Sequence, residues 1–139
     1  DLHRTRLRSD TQHRRVDRRH PGSLRSLRDV AITDGAIVAT AVDKDTKGFF
    51  LVLGANNNLN TIGSIDLPHN GVAVAASGKR AVAVGQSPEG KDVAAVVNFE
   101  QESAPGVTAT LNVLEGVSSV SIKDSLAILA GRGLEIVNL

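Results

Sequence analysis

A short apolar motif occurs three times in this chain at almost constant spacing. Ala36-Ile37-Val38-Ala39 returns as Ala81-Val82-Ala83-Val84 and again as Ala127-Ile128-Leu129-Ala130, at steps of 45 and 46 residues. Another short apolar segment precedes each copy, and a third follows it. Such a period is typical of β-propellers, in which each repeat forms one blade, a small antiparallel sheet. The repeat therefore predicts an all-β chain.

The strands of each blade can be placed from the apolar runs and the turn residues between them. The central runs are apolar at consecutive positions, which indicates burial on both faces, whereas 107–114 alternates between apolar and polar. We predict an incomplete β-propeller of about three four-stranded antiparallel blades, at about 29–70, 71–116 and 117–139. The predicted strands are 30–33, 36–41, 49–53 and 61–67; 72–75, 81–85, 93–98 and 107–114; and 117–122, 126–130 and 134–137.

The composition limits how such a core can be built. Tyr, Trp, Met and Cys are absent and only three Phe residues are present, although 41% of the residues are hydrophobic. The core must therefore consist mainly of Val, Ala, Leu and Ile, which suit closely stacked sheets. The lack of Cys excludes a disulfide framework. No apolar run is long enough to cross a bilayer, so we expect no membrane span.

The charge is distributed unevenly along the chain. Residues 1–28 contain nine Arg, three His and three Asp, a formal charge of +6, while residues 29–139 contain seven Lys or Arg against twelve Asp or Glu, a formal charge of −5. Residues 1–28 show no hydrophobic period, so we interpret them as an irregular basic arm, flexible or ordered by a partner. The arm is either a solvated leader or linker, or a segment that binds nucleic acid or another anionic surface. Its densest charge lies at Arg14, Arg15, Arg18 and Arg19.

Three short motifs were weighed as chemical sites. The loop that holds Asp43 and Asp45 has a partial calcium-loop spacing, but Lys47 occupies a position that needs an oxygen ligand. We therefore interpret it as a solvated hairpin loop. Calcium binding is the alternative, and calcium is the only cofactor that the sequence indicates. His69 falls where one blade leads into the next, and we interpret it as a turn residue that makes a backbone hydrogen bond. The segment 77–80 lacks the spacing of a phosphate loop, and we interpret it as a hairpin turn.

Parts of the repeats resemble known bacterial propeller families. The segment 30–39 resembles the opening motif of LVIVD and choice-of-anchor I repeats, and 43–50 resembles the latter family more closely. Gly133-Leu134-Glu135-Ile136-Val137-Asn138 resembles the element that names the LVIVD family, with Asn138 where an Asp is common. The resemblance covers residues 29–139 and implies an exported or cell-surface propeller module, often one part of a longer polypeptide. It implies no catalytic residues.

About four to eight blades usually close a propeller, and this chain holds about three. We therefore expect the outer faces of repeats one and three to be apolar and open, and to pack against other chains or further blades. The leading hypothesis is a noncatalytic structural or interaction module. The alternative is the propeller part of a secreted hydrolase-type enzyme, for which only Asp29, His69 and Glu115 lie near the junctions between blades. The predicted interface residues are Val30, Ile32, Ile37, Ile128, Leu134 and Ile136.

Overall fold

Eleven strands arranged in three antiparallel sheets make up the part of the chain that the computed structural model describes, residues 25–33, 35–54 and 59–139. Each strand pairs with its neighbour in sequence, so each sheet is a meander. The first sheet contains β1 (Arg25–Thr33), β2 (Ala36–Asp43), β3 (Gly48–Leu53) and β4 (Thr61–Asp66). The second contains β5 (Ala73–Ser77), β6 (Arg80–Gln86), β7 (Asp92–Asn98) and β8 (Gly106–Asn112). The third contains β9 (Ser119–Lys123), β10 (Leu126–Ala130) and β11 (Leu134–Asn138).

The three sheets stack face to face in chain order, and we call them blades 1, 2 and 3. The first strands of the blades lie side by side, since β1 contacts β5 and β5 contacts β9. This arrangement is propeller-like, with the first strand of each blade innermost and the last outermost. Blades 1 and 2 have four strands, whereas blade 3 has three in the described residues. The sequence prediction of an all-β chain with repeating antiparallel sheets is confirmed.

Two hydrophobic clusters hold the blades together. In β6 the side chains alternate between them: Ala81 and Ala83 face blade 1, whereas Val82 and Val84 face blade 3. Blade 2 is therefore buried on both faces, as the consecutive apolar residues of its second strand predict. The cluster between blades 1 and 2 is built around Ala36, Val38, Phe50, Val52, Val74, Ala81, Ala83, Ala95, Val97 and Phe99. The cluster between blades 2 and 3 is built around Ala73, Val82, Val84, Ala94, Val96, Val117, Ala127 and Leu129.

Strand β1 begins at Arg25, five residues before the predicted start and within the segment interpreted as irregular. Arg25 pairs with Asp43 and Leu27 with Ala41 in the β1–β2 ladder, and a bulge follows Leu27. Half-buried and exposed residues alternate along the strand, so its ladder can form without a continuous apolar run. The rest of the predicted basic arm, including Arg14, Arg15, Arg18 and Arg19, lies outside the described residues. Among the residues that are described, no helix is long and apolar enough to cross a membrane.

Candidate interaction surface

Each blade has two faces, and the pairing register shows which residues are equivalent between blades. We call the face toward the preceding blade in chain order the upstream face, and the opposite one the downstream face. Val38 pairs with Val52 in blade 1, Val82 with Val96 in blade 2, and Ile128 with Ile136 in blade 3. These pairs occupy the same position on the downstream faces. In blades 1 and 2 they are buried against the next blade.

The downstream face of blade 3 is apolar and open to solvent. Leu134 is 72% exposed and Ile136 is 65% exposed, and the side chains of Leu126 and Ile128 are exposed beside them. The register explains why these four lie together, since Ile128 pairs with Ile136 and the other two lie two residues away along the same strands. We call Leu126, Ile128, Leu134 and Ile136 the open face. It contains three of the six predicted interface residues.

The upstream face of blade 1 contains the other three predicted interface residues. It was expected to be open to solvent, but only its inner part is exposed. Val30 and Ile32 on β1 are exposed, the latter at 76%, and Ile37 on β2 is half-buried. Farther out the same face is buried. Leu27 and Ile37 pack against this outer part, and the Arg25 guanidinium stacks 3.9 Å from the centre of the Phe49 ring. The buried side chains are Ala39, Ala41, Phe49, Leu51 and Leu53.

His69 lies in the turn that leads from blade 1 to blade 2 and is almost fully buried. The backbone N–H of Gly71 donates to its Nδ1 at 2.9 Å, so the ring proton is on Nε2, which donates to the carbonyl of Ala83 at 2.9 Å. Burial lowers the pKa of His69, partly offset by its backbone hydrogen bonds. Both ring nitrogens are used in holding the turn, so His69 is a neutral structural residue in this geometry.

The other two residues considered near blade junctions are also engaged in local contacts. The Asp29 carboxylate accepts backbone hydrogen bonds at 2.9 Å from Val30 and, across to blade 2, from Val74. Glu115 lies 3.6 Å from the exposed guanidinium of Arg132. The Asp29 carboxylate therefore links blade 1 to blade 2, whereas the exposed Glu115–Arg132 pair contributes little to stability. Their contacts give no convergent acid–base pair.

Polar contacts also recur between equivalent turns of successive blades. The Thr33 hydroxyl donates to the carbonyl of Gly78, and the Ser77 hydroxyl accepts from the backbone N–H of Asp124. Thr33 and Ser77 are equivalent, because each ends the first strand of its blade. In blade 3 the same position is Lys123, and the described residues contain no following turn for it to contact.

The proposed calcium loop forms a hairpin turn that uses one of its own carboxylates. Asp43 Oδ1 accepts hydrogen bonds from the backbone N–H groups of Asp45, at 2.8 Å, and Lys47, at 3.0 Å. The Lys47 ammonium pairs with Asp66 at 2.9 Å, which raises the pKa of the lysine. Within the described ranges no group of three or more His, Asp or Glu side chains could hold a metal ion. Calcium binding by Asp43 and Asp45 stays a prediction.

Two features of the surface were not predicted from the sequence. Leu126 belongs to the open face, and its spacing of two residues from Ile128 in a strand was the signal that could have identified it. The second feature is a groove of about 370 Å³ between blade 2 and β11, whose lining includes Val96, Ala109, Leu111 and Val137. The groove brings together strands far apart in sequence, so no local pattern marks it.

No family model and no curated protein matches this chain. Among solved structures it is similar to a chain of "COPII on membranes, outer coat vertex" and one of "The structure of the COPII coat assembled on membranes", each with a TM-score of 0.61 and 13% identity over 82% of this chain. It spans 34% and 19% of those chains, which are β-propeller coat proteins. The computationally designed Ika4 protein gives a TM-score of 0.52 and 10% identity, with 82% of this chain and 91% of that one covered. At such low identity these likenesses establish the fold alone.

Proposed function

We propose that this chain is a noncatalytic segment of a β-propeller, acting as a structural and protein-interaction module that completes its ring with other chains or further blades. The observation that supports the proposal is the open face of blade 3. Ile128, Leu134 and Ile136 occupy positions that are buried between blades 1 and 2 and between blades 2 and 3. Leu126 is equivalent to the buried Ala36 of blade 1 and the half-buried Arg80 of blade 2. A surface with that register and composition is suited to contact with one more blade.

Burying the open face against another blade is favourable in free energy. Full burial of an Ile or Leu side chain contributes about 1.5–3 kcal/mol. Covering the exposed parts of Leu134 and Ile136 therefore contributes roughly 1–2 kcal/mol each, and covering that of Ile128 roughly 0.6–1.2 kcal/mol. Together with the backbone and side chains of a second blade, this is enough to offset part of the entropy cost of association. An apolar group of this kind on a surface is typical of an interaction site.

The setting of the module is a further part of the proposal. The resemblance of residues 29–139 to LVIVD and choice-of-anchor I repeats supports an exported or cell-surface assembly. The similarity to the fold of coat proteins supports a role in assembly, because those proteins form part of a coat. For the basic residues 1–28 a linker role is proposed, with binding to nucleic acid or another anionic surface as the alternative.

Sedimentation velocity of the full chain tests the proposal. We expect the wild-type chain to show a mass above 14.6 kDa that rises with concentration, because association with another copy buries the apolar open face. Ile128→Asp places a charge at the centre of that face and should hold the mass at 14.6 kDa. Thr110→Asp, on an exposed position of β8 away from the open face, is the matched control and should assemble like wild type. A wild-type chain that stays monomeric throughout, or an Ile128→Asp chain that still assembles, would contradict the proposal.

A further inference from the structure

The turn between blades 1 and 2 contains a dipeptide of the kind that is prone to deamidation. Asn70 is followed by Gly71, and it is the one Asn of the sequence that precedes a Gly. The backbone nitrogen of the residue after an Asn can attack the side-chain amide carbon, which closes a five-membered succinimide ring and releases ammonia. A following Gly favours this attack, because the absence of a Cβ leaves the nitrogen accessible and the backbone free to close the ring. The rate then depends on the groups that surround the reacting atoms.

The attacking nitrogen has a base on its hydrogen. The Gly71 N–H donates to Nδ1 of His69 at 2.9 Å. Nδ1 carries the free lone pair, because the ring proton is on Nε2 and is donated to the carbonyl of Ala83. Burial lowers the pKa of His69, so the ring is neutral at neutral pH. The proton that must leave Gly71 during ring closure therefore points at a basic nitrogen, as general-base catalysis requires.

The carbonyl oxygen of the Asn70 amide is held by a backbone donor. Gln86 donates its N–H to Oδ1 of Asn70 at 2.9 Å, and the N–H of Asn70 donates to the carbonyl of Gln86 at 3.0 Å. This pair of bonds fixes the side chain against β6. When the amide carbon is attacked its oxygen becomes negatively charged, and a donor already aimed at that oxygen stabilises the charge. The Gln86 N–H therefore makes the amide carbon more electrophilic.

The base, the nucleophile and the carbonyl oxygen meet above Gly85 of β6. A Cβ placed on Gly85 would lie 2.7 Å from Oδ1 of Asn70 and 2.7 Å from Nδ1 of His69. The nitrogen of Gly71 would lie 2.8 Å from the same point. A groove of about 490 Å³ is lined by His69, Asn70 and Gln86, among others, and gives water access to the turn. Holding reacting groups together in this way lowers the entropic part of the barrier to ring closure.

We propose that Asn70 is a modification site at which the folded chain promotes its own deamidation, with His69 as the catalytic base. The Gly71 nitrogen attacks Cγ of Asn70 while its proton passes to Nδ1 of His69. The oxyanion that forms at Oδ1 is held by the Gln86 N–H. The bond from Cγ to Nδ2 then breaks, the imidazolium returns the proton to the leaving nitrogen, and ammonia departs. Water opens the succinimide at one of its two carbonyls, which leaves aspartate or isoaspartate at position 70.

The reaction alters the junction between blades 1 and 2. Each event replaces a neutral amide by a carboxylate, and the isoaspartate form also adds one carbon to the main chain. An extra main-chain atom between Asn70 and Gly71 lengthens the turn that the hydrogen bond from Gly71 to His69 closes. We therefore expect the isoaspartate form to lose this bond and to weaken the contact of the turn with β6.

Mass spectrometry of the full-length chain during incubation at neutral pH tests the proposal. Digestion of the sampled chain locates aspartate and isoaspartate at position 70. We expect the folded chain to react at least about tenfold faster than a synthetic peptide of residues 66–75, because a positioned base contributes a factor of about 100 or more. Asn98 and Asn112, which precede larger residues, should stay unchanged in the same samples. A folded chain that reacts no faster than the peptide would overturn the proposal.

Unfolding in urea separates the effect of the fold from that of the dipeptide without any substitution. Above the unfolding transition His69 and Gln86 no longer hold the reacting atoms of Asn70 and Gly71. We expect the rate at position 70 to fall to that of the peptide measured in the same urea concentration. A rate that stays unchanged or rises on unfolding would mean that the turn does not promote the reaction, and the proposal is then wrong.

Variants of His69 identify the base. His69→Gln retains an acceptor for the Gly71 N–H but provides no basic nitrogen, so its rate should fall by at least about tenfold while circular dichroism shows an unchanged β content. His13→Gln makes the same substitution in the basic residues 1–28 and is the matched control, which should react as wild type does. A folded His69→Gln chain that reacts as fast as wild type contradicts the proposal. Where His69→Gln does not fold, the comparison of folded and urea-unfolded wild type decides.

Discussion

Residues at equivalent positions are buried in the contact between blades 1 and 2 but exposed on the open face of blade 3. Phe50 is opposite Thr40 in blade 1, and Leu134 is opposite Ala130 in blade 3, so the register makes them equivalents. Phe50 is fully buried and lies 5.9 Å from the ring of Phe99, whereas Leu134 is largely exposed. Both residues are large and apolar. The presence of a following blade, and not the residue type, distinguishes a core position from a surface position in this fold.

The largest contrast is expected from truncating these two equivalents. Phe50→Ala should lower the free energy of unfolding by about 3–5 kcal/mol, because it removes a ring from a closed cluster and leaves a cavity. At concentrations where the chain is monomeric, Leu134→Ala should cost less than about 1 kcal/mol, because most of that side chain is then in water. Urea unfolding of both variants measures the difference. Similar losses in the two variants would show that the open face is covered in solution.

The close approach of the blade 1–blade 2 turn to β6 predicts an intermediate effect. A Cβ at Gly85 would lie 2.7 Å from the Nδ1 of His69 and from the Oδ1 of Asn70, so Gly85→Ala should destabilise the chain by about 1–3 kcal/mol. Gly106→Ala is the control, since a Cβ there meets no atom within 4 Å, and it should change stability by less than about 0.5 kcal/mol. Thermal or urea unfolding checks both. An unaffected Gly85→Ala variant would mean that this turn does not pack tightly on blade 2.

The smallest expected effect is a change in the free energy of unfolding with pH, caused by His69 in the turn between blades 1 and 2. Burial lowers the pKa of His69 below its ordinary value of 6.5, so the unfolded chain binds a proton at higher pH than the folded chain. The stability contributed by neutral His69 is therefore complete above pH 6.5 and falls as the pH drops toward the folded-state pKa. The measurement is the unfolding free energy of wild type minus that of His69→Gln as a function of pH. This difference should shrink on acidification, and a difference that is constant or grows would contradict the assignment.

The strands with continuous apolar sequences could be predicted closely from the sequence. The predicted 126–130 coincides with β10. The predictions for β7 and β11 differ from the structure by one residue at one end, and that for β6 by one residue at each end. The prediction of 107–114 as an outer strand was correct for β8, but the predicted burial of one face was not, because Thr108 to Asn112 are exposed on both faces of the strand. These strands carry their own signal, because burial on one or both faces fixes which positions must be apolar.

Strand β1 shows where local pattern reasoning failed. Its first residues, Arg25 to Arg28, contain two arginines, and their strand conformation depends on pairing with β2. The bulge after Leu27 also interrupts the period of two. The burial of Phe49 and Leu51 on the upstream face of blade 1 likewise could not be predicted. From the repeats alone, this face was expected to be open to solvent, because no repeat precedes the first one in the sequence.

The amino-acid sequence by itself determined that this protein is built from repeated antiparallel sheets, because a 45-residue period of apolar segments leaves each sheet with two faces to bury. Only the tertiary structure decided which of those faces are closed. On the downstream faces, burial depends on whether a following blade is present. Val82 is buried against blade 3 and Ile128 is exposed, although both side chains are β-branched and apolar. For the same reason the groove at Leu111 forms only when blades 2 and 3 are stacked.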